Sequence, residues 1–432
     1  MTSRALGFAL GVLVLAACGE EAVPFIDAAV DGSVALDAPD TDAPTADAPD
    51  TDAPTADAAD TDASTADAPD TDASAADAPD TDASTADAPS IDATPRCGDG
   101  NVDPGETCDG NCPTSCADAL ACTSDVLVGT PGNCDVACLH AGTGCAAGDS
   151  CCSPGCDSTT DSDCPFTLSP VFDPNYDVRD LGTASGLPTN YGGLIVSPTD
   201  PYTLLIGGAA NNVNGAIYRL GLQRDSAGHI VGIVGPATLA RQGQYNDGGV
   251  VFAPNGALIL ARYPVNELGM QRAGSTINDK IVALSTVSVA SSVGGLALVP
   301  AGHPGAGSWK LVSWSGGQWY ELTLVPDATG TYDVTGAVMR LTLAGGPEGI
   351  VYVPLGSPLF ANPGVLVSEY SAGKVSTYEV DVAGDPVLAS RRELITNLTG
   401  AEGAAIDPVS GDFLFSTYGG GNRILVVRGF NN

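Results

Sequence analysis

Residues 349–354 read GIVYVP, and the same short phrase stands at four other places: GLIVSP from Gly193, GVVFAP from Gly249, GLALVP from Gly295 and GAAIDP from Gly403. Each copy runs from a glycine through mostly apolar residues to a proline five positions on, at Pro198, Pro254, Pro300, Pro354 and Pro408. The copies are separated by 56, 46, 54 and 54 residues. A repeat of that length built on short apolar runs is the mark of a β-propeller blade rather than of a helical solenoid. No helical periodicity competes with it over this region. Glycine at the start suits an innermost strand, where neighbouring blades crowd together. The apolar run suits burial between blades, and proline ends the strand because it lacks a ladder donor.

Further strands follow three of the prolines. LVSWSGGQWYELTL (Leu311–Leu324), LVSEYSAGKVSTYEV (Leu366–Val380) and LFSTYGGGNRILVV (Leu414–Val427) each pair two apolar runs across a glycine turn, where positive φ is needed for a tight hairpin. Only 29 residues follow Gly403, enough for three strands. The missing outer strand is expected from SPVFDPNYDVRDLG (Ser169–Gly182), which would join the first blade to the last and cover an open edge. The phrases count five blades; a sixth would need a degenerate unit. The expected fold is all-β, a five-bladed propeller over residues 165–432.

The blade phrases resemble those of NHL-repeat and gluconolactonase-like propellers, most closely along IDPVSGDFLFSTYGGGNRILVV (Ile406–Val427). That resemblance implies a divalent cation held by acidic and amide ligands near the channel mouth. Asp247, Glu348 and Glu402, with Asn190 and Tyr191 in the first unit, stand just before the inner strands. The three carboxylates read either as solvated loop residues or as a set suited to Ca2+. Their offsets differ, because Asp247 lies two residues before its glycine and the glutamates one. The third unit has Val293 and Gly294 there and offers no ligand. Trp314, Trp319, Tyr320, Tyr370 and Tyr418 cluster near the turns and suit either packing between blades or stacking on sugars. His140, His229 and His303 show no ligand spacing, and no nucleophile elbow occurs. The sequence therefore points to binding without evident catalysis; the alternatives are a calcium-dependent lactonase or esterase of the gluconolactonase-like type and a passive envelope or surface structural protein.

Upstream of the propeller lie three segments of different character. Residues 97–164 hold 12 of the 13 cysteines, with no aromatic residue and seven Val or Leu. So little apolar side chain cannot stabilise a core. An even cysteine count in an exported chain reads as a disulfide framework, formed by Cys97, Cys108, Cys112, Cys116, Cys122, Cys134, Cys138, Cys145, Cys151, Cys152, Cys156 and Cys164. Spacing leaves the pairing open, and a zinc reading through Cys112/Cys116 and Cys134/Cys138 is the weaker alternative. CGDGNVDPGETCD (Cys97–Asp109) resembles cysteine-rich repeats of myxobacterial surface proteins, and within it Asp99, Asn101, Asp103 and Glu106 are spaced loosely like calcium ligands.

Residues 18–96 include a decapeptide of the type TDAPTADAPD repeated five times between Thr41 and Ser90. With almost no apolar surface it cannot offset the entropy of ordering, and it reads as a disordered, extended stalk. Ala5–Ala17 is 13 uncharged residues after Arg4, an export signal too short to span a bilayer. Leu15-Ala16-Ala17-Cys18 resembles the lipobox of bacterial lipoproteins. That resemblance implies cleavage after residue 17, lipid on Cys18, a membrane partner through that lipid and, with Gly19 following, outer-membrane or cell-surface placement.

The net charge of −36 is carried mainly by these upstream segments. Residues 165–432 hold 20 acidic and 14 basic residues, a net of −6. No basic patch exists to neutralise phosphates, which argues against nucleic acid as a partner. A protein or glycan ligand is the expected partner.

Overall fold

A computed structural model describes residues 97–99, 106–110, 112–116, 122–149 and 151–430. The export signal, Cys18, the acidic repeats, Asn101 and Asp103 lie outside the described residues.

The cysteine-rich segment carries one hairpin, β1 (Thr123–Val128) paired with β2 (Ala137–Gly142). All twelve cysteines are bonded: 97–134, 108–112, 116–138, 122–151, 145–156 and 152–164. Every sulfur of the zinc alternative is thus in a disulfide. Cys152, Cys156 and Cys164 share an apolar cluster with Phe166 and Phe172, so the end of this module is continuous with the propeller core.

Two short strands follow, β3 (Thr167–Leu168) and β4 (Asp177–Asp180), and then the blades. Blade 1 is β5 (Leu194–Ser197), β6 (Asp200–Gly208), β7 (Ala216–Arg224) and β8 (Ile230–Gln242). Blade 2 is β9 (Asn246–Phe252), β10 (Leu258–Arg262), β11 (Glu267–Gln271) and β12 (Lys280–Ala283). Blade 3 is β13 (Val293–Leu298), β14 (Trp309–Ser313), β15 (Gln318–Pro326) and β16 (Tyr332–Thr342). Blade 4 is β17 (Pro347–Val353), β18 (Gly364–Glu369), β19 (Lys374–Glu379) and β20 (Arg392–Thr396). Blade 5 is β21 (Ala401–Ile406), β22 (Phe413–Thr417) and β23 (Ile424–Arg428).

Each blade is an antiparallel meander, and there are five. β4 supplies the fourth strand of blade 5, with Asp177 opposite Arg428 and Asp180 opposite Leu425, so the segment before blade 1 closes the ring. β3 adds a fifth strand to blade 4. Closure leaves no inner strand unpaired: β5, β9, β13, β17 and β21 touch in a circle, and β9 also meets β17 and β21 across the narrow axis.

The phrase glycines sit where this circle is tightest. A Cβ on Gly295 would lie 1.7 Å from the Glu348 carbonyl oxygen, and one on Gly403 would lie 2.8 Å from the Gly193 Cα of the neighbouring blade. The apolar residues after each glycine fill the spaces between blades. Ile350 and Tyr352, for example, pack with Val312, Trp319 and Val365 between blades 3 and 4.

Candidate functional site: an acid-floored, aromatic-walled channel mouth

β-Bulges at the start of the inner strands aim the carboxylates inward. In β17, Glu348 and Gly349 together face Ser368 alone, and in β21 Glu402 and Gly403 face Ser416 alone. In β9 the excursion is one residue longer, with Asp247, Gly248 and Gly249 facing Ala261. The extra residue explains why Asp247 stands two positions before its glycine and still reaches the same point. A bulge re-aims a side chain that a regular pleat would send elsewhere.

Asp247, Glu348 and Glu402 each place a carboxylate oxygen within 4.8 Å of the other two. They are only 2%, 4% and 2% exposed, which corrects the reading of solvated loop residues. Gly294, which offers no ligand, makes room instead: a Cβ there would lie 2.2 Å from Glu348 Oε2. Asn211, from the turn after β6, donates its side-chain amide to Asp247 Oδ1 at 2.9 Å and to the Asn246 carbonyl at 3.2 Å. Asp247 Oδ2, Glu348 Oε2 and Glu402 Oε1 are buried without a hydrogen-bond partner.

Burial pushes all three carboxyls up. Asp247 is raised to about 6, moderated by hydrogen bonds with Glu402, Asn211 and the Gly248 N–H. Glu348 rises well above the usual range through burial and the nearby Asp247 charge. Glu402 does so through burial, the charges of Glu348 and Asp247, and its hydrogen bond with Asp247. No lysine or arginine contributes to any of the three.

These shifts set a pH dependence. The folded protein keeps protons that the unfolded chain releases near pH 4, so the stabilising contribution is complete below that pH. It is lost as pH rises through 6 and beyond. Asp247 alone accounts for on the order of 3 kcal/mol. Urea unfolding of the ligand-free chain is expected to show this loss from about pH 4 upward, the Asp247 part by about pH 6 and the glutamate part above it. Replacing Glu348→Gln and Glu402→Gln together should reduce it.

Above the carboxylates a cavity of 340 Å³ is lined by Asn211, Tyr263, Pro264, Trp314, Tyr370 and Tyr418, with Glu348 and Glu402 at its base. Tyr263, Trp314, Tyr370 and Tyr418 are each the first residue after the second strand of blades 2 to 5. Their rings follow one another at 6.1, 6.1 and 6.2 Å with planes 73°, 83° and 69° apart. Burial and the carboxylates below raise the Tyr370 and Tyr418 hydroxyls above the usual phenol range.

Other candidates lie elsewhere. Tyr191 is buried between blades and its hydroxyl accepts from the Ala184 N–H at 3.0 Å, while the Asn190 N–H is taken by Asn422. Trp319 and Tyr320 are core residues: Trp319 donates to Asp385 and the Tyr320 hydroxyl accepts from the Ala290 N–H. His229 contacts Asp412 and His303 the Val353 carbonyl. A 590 Å³ cleft separates the cysteine-rich module from blade 1, but its Arg224 is already paired with Asp407 at 2.6 Å.

Fold and site together define a five-bladed β-propeller with an acidic, aromatic-walled mouth. No family profile matches the chain, and no curated protein matches it. Several solved structures are similar to it at 12–13% identity. A streptogramin B lyase is 12% identical, with 59% of this chain and 98% of that one covered, at a TM-score of 0.32. A calcium structure of the Trichoderma reesei carbohydrate-active enzyme family AA12 is 13% identical over 61% and 97%, at 0.36. An auxiliary nutrient binding protein from Bacteroides ovatus is 12% identical over 59% and 76%, at 0.30. At these values the fold rests on this chain's own sheets.

Proposed function

We propose that this chain is an exported, lipid-anchored binding protein whose propeller captures its ligand at the channel mouth. In this reading Cys18 carries the lipid, the acidic repeats act as a stalk at the outer membrane or cell surface, and the disulfide module seats the propeller upon it. The observation that carries the reading is the mouth. Four half-buried aromatic rings surround a cavity whose floor holds unpartnered carboxylate oxygens. Buried polar groups without partners are rare in folded proteins and cost stability unless something answers them. A small ligand, or one end of a glycan or protein, would answer them.

Thermal unfolding of the whole exported chain tests this with calcium chloride, neutral sugars and organic amines as probes. A ligand at a hundredfold its Kd stabilises by about 2.7 kcal/mol, or roughly 5–10 °C for a domain of this size. A shift present in the wild type and absent in Trp314→Ala upholds the reading. No shift, or one that Trp314→Ala leaves intact, contradicts it.

The second reading is a calcium-dependent lactonase or esterase, favoured by the convergence of Asp247, Glu348 and Glu402, which together would suit Ca2+. It requires calcium binding that Glu348→Gln and Glu402→Gln abolish, together with lactone hydrolysis. A passive envelope role requires neither kind of binding.

A further inference from the structure

We infer that the mouth recognises an organic ammonium group, methylated or quaternary, held in the box of Tyr263, Trp314, Tyr370 and Tyr418 above Glu348 and Glu402. The inference rests on the binding reading above and names its ligand class.

Three observations carry it. The first is the shape of the walls. Successive rings stand 73°, 83° and 69° apart, so they enclose a volume instead of forming the flat platform on which a sugar face stacks. A ring face attracts a cation within about 6 Å of its centroid, and desolvated cases are worth about 2 kcal/mol or more.

The second is the lack of a resident cation. Among the described residues the arginine–ring pairs fall on Tyr202, Phe252, Tyr245, Phe172 and Phe360, none of them in the box. Trp314 is instead braced by its Nε1 donating to Ser371 Oγ at 3.2 Å.

The third is the floor. Its unpartnered oxygens belong to three carboxylates that no basic side chain offsets. Ca2+ can complete six to eight oxygen ligands from these carboxylates and water, but it gains nothing from hydrocarbon walls. An alkylammonium uses both parts, with its methyl groups against the rings and its positive charge favouring the ionised form of the acids below, which burial otherwise holds protonated.

Calorimetric titration of the whole exported chain with choline, and with its neutral isostere 3,3-dimethylbutan-1-ol, tests the assignment. Choline is expected to bind at least tenfold more tightly than the isostere. Trp314→Ala and Tyr370→Ala are each expected to weaken choline about tenfold, and Glu348→Gln with Glu402→Gln should weaken choline but not the isostere. Circular dichroism confirms that the variants fold. Equal binding of choline and the isostere, or choline binding untouched by the ring substitutions, overturns the proposal. So does calcium binding at the mouth that choline fails to displace; the binding reading survives that outcome where Trp314→Ala abolishes the calcium binding. If no probe shifts the unfolding temperature, the binding reading fails as well. Retention on phosphatidylcholine vesicles, released by free choline, would assign the group to a lipid headgroup; choline binding without retention would assign a soluble amine.

Discussion

Gly295→Ala is expected to destabilise the propeller by about 3 kcal/mol or more, and to disturb the mouth as well. The added Cβ would stand 1.7 Å from the Glu348 carbonyl oxygen, which is backbone and cannot swing aside. β13 and β17 would have to separate at the axis, where the ring is tightest, and overpacking of that kind typically costs 1–3 kcal/mol or more. The carbonyl in question belongs to the residue whose carboxylate forms the floor, so any relief moves the site. Gly132→Ala is the control, because nothing lies within 4 Å of a Cβ there. Denaturant midpoints of the two variants should separate clearly. Equal midpoints would mean that the inner strands are not packed as described.

Lys310→Met carries the second large effect. Lys310 is fully buried on β14, its Nζ 2.7 Å from Asp385 and 2.8 Å from Glu321. Asp385 comes from blade 4 and also accepts from Trp319 Nε1 at 2.9 Å and from Arg340 at 2.8 Å. Burial pushes the Asp385 carboxyl up, yet the hydrogen bonds of Lys310, Arg340 and Trp319 hold it below the usual range. Removing the lysine leaves a buried carboxylate short of its main counter-charge, at a cost of about 3–5 kcal/mol. Adding Asp385→Asn removes the stranded charge and keeps an acceptor for Trp319, so the double variant should recover much of the loss. Unfolding free energies of the four members of this cycle check the coupling. A double variant no more stable than Lys310→Met would show that the network does not join blades 3 and 4.

The blades were legible because crowding and burial leave marks one residue wide. Glycine at Gly193, Gly249, Gly295, Gly349 and Gly403 is demanded by the approach of neighbouring inner strands, and that demand recurs once per blade. Closure by Asp177–Asp180 was legible by counting strands. The site was only half visible. Glu348 and Glu402 stand directly before phrase glycines, whereas the alignment of Asp247 depends on a bulge one residue longer, and bulge length has no signature in composition. Gly294 read as an empty position because the space it yields is used by a residue 54 places later. Trp314, Tyr370 and Tyr418 were visible beside glycine or serine turns, but their separation from the buried Trp319 and Tyr320 was not. Tyr263 carries no such mark, because its turn is made by Asn266, at φ 54°, and lacks the glycine found beside the others. Asn211 belongs to a long turn in blade 1 with no aromatic counterpart.

The most direct measurement is a crystal structure of the whole chain bound to choline. The ammonium nitrogen is expected inside the box, within about 6 Å of the ring centroids and over the carboxylates of Glu348 and Glu402. A mouth without choline, its three carboxylates gathered on a metal ion or bonded only to one another, would contradict it.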